Sequence, residues 1–180
     1  MRKWHRVIFS DEKKWNLQGN DKFVNVWTED LNTYTIAKGE ALTGSLMVWG
    51  AISVEGTLRL ICTPGKINAN VYIEMLENDF FSHPKTDLPD NFIFQQDNVP
   101  SHSTQKIMEY FASNNINVMK WPAKSPDLSP IENVWSYMSD QIYHDGTTYQ
   151  NVNYLWDALV KAWQSIPIEY IESLYTSIPK

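Results

Sequence analysis

Apolar and polar positions alternate with a period of two through much of the first half of the chain, and recur near every 3.6 residues in the second. "RVIFSDEKKW" opens with a β-branched and aromatic run that ends at Ser10-Asp11. "KFVNVWT" reads as a strand with a period of two, and "GSLMVWGAISVEGTLRLIC" as two longer strands joined at Glu55-Gly56, which together predict an antiparallel meander. From Asn68 to Phe81, Val71, Met75, Leu76 and Phe80 fall near helical spacing, so a crossover helix is expected there. "NFIFQQD" as a strand, "STQKIMEYFASNN" as a helix ending near Asn114-Asn115 and "INVMKW" as a short strand make a β-α-β unit. After the proline-bearing loop "PAKSPDLSP", Ile131, Val134, Trp135, Met138 and Ile142 form a helical stripe. "VNYLWDALVKAWQSI" and the segment after Pro167 are helical by pattern. Strands first, then β-α-β, then helices, predict an α/β domain with a mixed sheet and helices on its faces. With no internal repeat and no linker, residues 1–180 are expected to form one domain.

Two of the predicted strands end in a carboxylate. In a mixed sheet the strand leading to Asp11 and the strand leading to Asp97 can lie side by side and parallel, so that both side chains meet at one edge. Taken singly, each also suits a polar strand end or turn. Glu132 is likewise explained by helix capping, with Ser129 as N-cap, Pro130 at the first helical position and Glu132 completing a capping box. It stands about 100° from Ile131 on the helical wheel, at the border of the apolar stripe.

Composition narrows the class. Apolar residues make up 43% of the 180 positions and there is no low-complexity tract, which fits a packed domain. The apolar runs are too short to cross a bilayer, and the single cysteine, Cys62, excludes an internal disulfide and a structural zinc cluster, so a reducing intracellular compartment is expected. The net charge of −6 runs against phosphate binding, but it is unevenly placed. Residues 126–180 hold seven acids and two bases, whereas residues 1–14 hold five bases and two acids. Affinity for nucleic acid would have to be local, metal-assisted or supplied by another domain.

Carboxylates that converge repel each other by roughly 4 kcal/mol per pair at about 4 Å and an effective dielectric near 20. A divalent cation relieves that repulsion, and all-oxygen ligation suits Mg²⁺ or Mn²⁺, two of which can serve an in-line phosphoryl displacement. No phosphate-binding glycine pattern is present, so no nucleotide cofactor is expected.

The flanks of the three acids are more specific than the acids themselves. "FSDEKKWNL", "GSLMVWGAIS", "QQDNVPSH" and "WPAKSPDLSPIENVW" occur in order, with 34 residues between Asp97 and Glu132. Together they resemble the catalytic domain of the mariner superfamily of DNA transposases, in the branch with two aspartates, a glutamate and that interval, and "ALVKAWQSIPIEYIESL" resembles the family's C-terminal helices. The resemblance implies a ribonuclease H-like fold with a mixed five-stranded sheet and helices on both faces. It implies that Asp11, Asp97 and Glu132 are catalytic and bind two Mg²⁺ or Mn²⁺ ions. The activity it implies is water-driven cleavage at transposon ends, followed by attack of the freed 3′-hydroxyl on target DNA, typically at TA. The implied partners are DNA, as terminal inverted repeats and target, and a second copy in a full-length homodimer, with no membrane.

Asn98 and His102 beside Asp97, and Lys120 and Lys124 flanking the proline loop, are candidate DNA contacts. Asp127 reads as a turn former, and Trp49, Trp121 and Trp135 as core. The family's usual asparagine before Pro-Ile-Glu is Ser129 here, a change that keeps N-cap chemistry. Full-length relatives carry an N-terminal pair of helix-turn-helix domains, and these residues contain no match to them, so a catalytic domain without its DNA reader is expected. A ribonuclease H-like nuclease and a domesticated or inactive transposase-derived domain are the competing readings. The nucleus is the expected location for a eukaryotic member, the cytoplasm for a bacterial one.

Overall fold

The computed structural model describes residues 3–19, 44–63, 67–82, 88, 91–97, 104–122, 125 and 128–178 of the chain. The strand expected over residues 22–28 lies outside the described residues. The meander is as the alternation predicts: β1 (Val7–Asn16), β2 (Ser45–Ser53) and β3 (Gly56–Thr63). Gly56, at φ +130°, supplies the left-handed conformation that the tight β2–β3 connection needs. Next come α1 (Ala69–Met75), continued by a π-helical turn over Leu76–Phe81, then β4 (Ile93–Gln95), α2 (Gln105–Ser113) and β5 (Asn117–Val118). The chain ends in α3 (Pro130–Ile142), α4 (Val152–Gln164) and α5 (Ile168–Ser177).

Local chemistry sets several helix starts. The Asn68 side chain accepts from the backbone N–H groups of Asn70 and Val71 to open α1, Thr104 accepts from Ile107 to open α2, and Asn151 accepts from Asn153 and Tyr154 to open α4. Two strands are shorter than their sequence pattern. Only Ile93–Gln95 and Asn117–Val118 join the ladder, because each pairs with a neighbour over no more than three residues.

The sheet has five strands in the order β3-β2-β1-β4-β5. β1 pairs antiparallel with β2 and parallel with β4, and β4 is parallel to β5. The expected parallel arrangement of the two aspartate-bearing strands is therefore present, with β1 at the centre. Strand alternation divides the core in two. Val7, Phe9 and Trp15 of β1 pack with Val48 and Ile52 under α3, α4 and α5, whereas Ile8, Trp49, Ala51 and Phe94 pack under α1 and α2. Helices thus cover both faces.

One buried phenol ties the last helix to the sheet centre. The Tyr175 hydroxyl lies 2.9 Å from the Val7 carbonyl and 3.0 Å from the Ile52 carbonyl, so its proton is shared between β1 and β2. Burial pushes its pKa well above the ordinary value, and it stays a neutral donor. Tyr175→Phe is expected to keep the fold and lower its stability by about 1–3 kcal/mol, read as a lower midpoint in urea with an unchanged slope.

Candidate active site

The geometry of the site follows from where the β1–β4 ladder stops. Its last pair is Phe9–Gln95, while β1 continues beside β2 as far as Asn16. Two residues beyond that last pair, on the same face as Phe9, stand Asp11 and Asp97. Asp11 is opposite Gly50 of β2, and this face is the one that α3 covers.

Glu132 lies in the first turn of α3 and is partly buried. Ser129 is the N-cap by backbone conformation and Pro130 holds the first helical position, as the sequence predicts. The expected capping box does not form: the Ser129 side chain makes no capping hydrogen bond. Among the described residues its Oγ is buried without a hydrogen-bond partner, and the Glu132 N–H donates to the Ser129 carbonyl at 3.2 Å. Pro130 fixes the entry of the helix through its locked φ.

Trp135, three residues after Glu132, shares its side of α3 and reaches β1. Its indole Nε1 donates to Asp11 Oδ2 at 2.9 Å. The ring occupies the space above Gly50, where an added Cβ would come within 2.5 Å of Trp135 Cη2 and 3.2 Å of Trp163 Cη2. A glycine in a strand interior is costly unless something must approach the backbone, and here that is the indole.

The electrostatics join the three acids. The Asp11 carboxyl is raised from its ordinary 3.8 to about 7, chiefly by burial, then by the charge of Glu132, with Asp97 adding a smaller push. Hydrogen bonds from Trp135 and from the Glu12 backbone N–H act in the opposite sense. Among the described residues no three His, Cys, Asp or Glu side chains are grouped closely enough to hold an ion as they stand. A second buried oxygen without a partner, Gln95 Oε1, belongs to the residue two before Asp97.

The other residues singled out in the sequence divide three ways. Asn98, His102, Lys124 and Asp127 lie outside the described residues. Lys120 is exposed and lines a groove of about 520 Å³ with Trp4, Trp121 and Leu128. Trp49 and Trp135 are buried, and Trp121 is half-buried with its ring edge-on to Phe9 at 5.8 Å. Reading Trp135 as core missed its hydrogen bond to Asp11. Its three-residue spacing from Glu132 and the glycine inside "MVWGAIS" were the available signals.

Comparison with known proteins agrees with this geometry. The DDE superfamily endonuclease family matches residues 6–156. The Tc3 transposase of Caenorhabditis elegans is 36% identical over 177 residues, 97% of this chain and 54% of the relative. The Tcb2 transposase of Caenorhabditis briggsae is 33% identical over 181 residues, 98% of this chain and 66% of the relative. This chain therefore spans between half and two thirds of those relatives. Among solved structures, the Mos1 strand transfer complex superposes with a TM-score of 0.76 at 19% identity, over 98% of this chain and 52% of that one. The catalytic domain of Mos1 mariner transposase superposes with a TM-score of 0.71 at 18% identity, over 98% and 78%. At these identities the structures establish the fold, a five-stranded mixed sheet of the ribonuclease H type.

Two outcomes follow from the packing around Asp11. Because its pKa is higher in the folded chain than in the unfolded one, the metal-free fold binds the proton more tightly. Its contribution to stability is complete below about 3.8 and is lost as the pH rises through about 7. Asp11→Asn should remove that loss and stabilise the metal-free protein at alkaline pH by on the order of a few kcal/mol, measured by chemical denaturation in chelator across the range. Gly50→Ala should displace the Trp135 ring, lower stability by about 1–3 kcal/mol, and alter tryptophan fluorescence.

Proposed function

The chain belongs to the DDE superfamily of endonucleases, in its mariner branch, and from that membership we propose that it is the catalytic domain of a DNA transposase. It would hydrolyse phosphodiester bonds at transposon ends and join the freed 3′-hydroxyl to target DNA at TA. The observation that carries this reading is the raised carboxyl of Asp11, which feels both Glu132 and Asp97 from a central strand of the sheet.

The donor set fits a hard divalent cation. It is made of carboxylate oxygens alone, and the two buried oxygens without partners, Gln95 Oε1 and Ser129 Oγ, belong to residues neighbouring Asp97 and Glu132 and could accept from coordinated water. Two Mg²⁺ or Mn²⁺ ions, held by Asp11, Asp97 and Glu132, would supply Lewis-acid stabilisation of the attacking and leaving oxygens. Relatives of the same fold support the choice of ions: Mos1 structures are described with Mg and with Mn.

The protein's own groups have separate tasks. Trp135 holds Oδ2 of Asp11 and leaves the other oxygen to ligate. Asp97 approaches from the adjacent parallel strand and Glu132 from the first turn of α3. As no three acids are yet grouped, ligation requires these carboxylates to turn toward one another. Asn98, His102, Lys120 and Lys124 would contact the DNA backbone. The acidic second half of the chain makes a separate recognition domain and a homodimer on paired ends the natural source of specificity, and a chromosomal substrate would put the activity in the nucleus of a eukaryotic host or the cytoplasm of a bacterial one.

Calorimetry with Mn²⁺ and a DNA cleavage assay test the reading, with the recognition domain of the full-length protein present for cleavage. Asp97→Asn should abolish metal-dependent cleavage and weaken Mn²⁺ binding at least tenfold (a loss of about 1.4 kcal/mol or more) while circular dichroism stays unchanged. Wild-type binding should tighten from about pH 6 to about pH 8 as Asp11 releases its proton. Cleavage by Asp97→Asn at the wild-type rate would remove Asp97 from the site.

A further inference from the structure

Ser10, which precedes Asp11, and Gln96, which precedes Asp97, alternate with the aspartates and point to the opposite face of the sheet, where Gln96 meets a buried phenol. The Ser10 hydroxyl donates to the Gln95 carbonyl at 2.8 Å, across from one strand to the other. The Tyr72 hydroxyl, at the centre of α1, donates to Gln96 Oε1 at 2.9 Å, and both groups are buried. Tyr72 stays neutral, because burial and then the charges of Glu12 and Asp97 raise its pKa well above the ordinary value.

This network lies where the ladder is missing. β1 and β4 pair over only three residues, and the last pair, Phe9–Gln95, comes two residues before the aspartates. Beyond a ladder's end, parallel strands are free to splay, and each residue of splay changes the distance between the two carboxylates. The Ser10–Gln95 and Tyr72–Gln96 bonds lie just beyond the last ladder pair. We propose that Tyr72 is a positioning residue that sets the placement of Asp97 relative to Asp11 from the far side of the sheet, a role that rests on reading those two carboxylates as metal ligands. The phenol is carried by α1. Its N-cap at Asn68 and the Lys106 Nζ bond to Asn70 Oδ1 at 2.6 Å, which ties α1 to α2, fix the helix that aims the phenol.

The test uses Tyr72→Phe, which keeps the ring in its packing site, Gln96→Leu, which removes the acceptor, their double variant, and Tyr175→Phe as a buried phenol on the other face. Backbone order parameters from ¹⁵N relaxation are measured on the metal-free proteins, and Mn²⁺ affinity by calorimetry on the same samples. Tyr72→Phe should lower the order parameters at Gln96 and Asp97 and weaken Mn²⁺ binding by about tenfold or more. Gln96→Leu should do the same, and the double variant should be little worse than either single one. Tyr175→Phe should lose thermal stability and keep wild-type affinity. Unchanged order parameters at Gln96 and Asp97, or wild-type Mn²⁺ affinity in Tyr72→Phe, would overturn the proposal. Loosening at those residues in a protein whose wild type binds no Mn²⁺ would uphold the positioning role and overturn the metal-binding reading.

Discussion

The bond from the Trp135 indole to Asp11 Oδ2 joins the first strand to the third helix across 124 residues of sequence, and much of the architecture is arranged so that it can form. It needs β1 at the centre of the sheet, α3 packed directly over it, and a glycine at position 50 so that the ring can lie on β2. Trp15 and Trp163, with ring centroids 6.0 and 5.6 Å from that of Trp135, hold the indole from both sides. A neutral donor is the right partner for a carboxylate in this position. It restrains the group without supplying the positive charge that would compete with an incoming cation.

The sheet separates two tasks by alternation. On the α3 face stand the proposed ligands Asp11 and Asp97, while on the α1 face their neighbours Ser10 and Gln96 are tied into buried hydrogen bonds. The like-charged site is a source of instability, since Asp11 is raised to about 7 by burial and by its fellow acids. Packing elsewhere offsets it. Aromatic and aliphatic clusters fill both faces, and the Tyr175 phenol closes the α5 side onto β1 and β2. Functional sites commonly hold strain of this kind, which the surrounding structure must over-determine.

Much of this was legible in the sequence, for reasons specific to each element. The near-continuous apolar run of "GSLMVWGAIS" suits a strand covered on both faces, and the 3.6-residue stripe of Ile131, Val134, Trp135 and Met138 fixes one buried helix face, so β2 and α3 could be read directly. The short ladders of β4 and β5 could not, because an apolar run of six residues looks alike whether three of them or all six are paired. Asp11 and Glu132 drew attention through the motifs around them. Ser129 is the N-cap that the sequence predicts, but whether its hydroxyl bonds the first turn depends on a rotamer that no pattern shows. The hydrogen bonds of Trp135 and Tyr72 were hard to read, as buried aromatics in apolar stripes are ordinarily core and the polar end of the ring declares itself only when its partner is placed.

An acidic domain proposed to act on DNA has to reconcile two opposed charges. Residues 1–14 hold five bases and two acids, whereas residues 126–180 contribute seven acids and two bases. On the proposed reading DNA would approach the end of the sheet where β1 and β4 part, over the carboxylates. That approach explains why cations are central to the proposed chemistry. Without them the three carboxylates proposed as ligands would repel a polyanionic substrate, so on this reading metal binding would both relieve the protein's internal repulsion and allow its partner to approach.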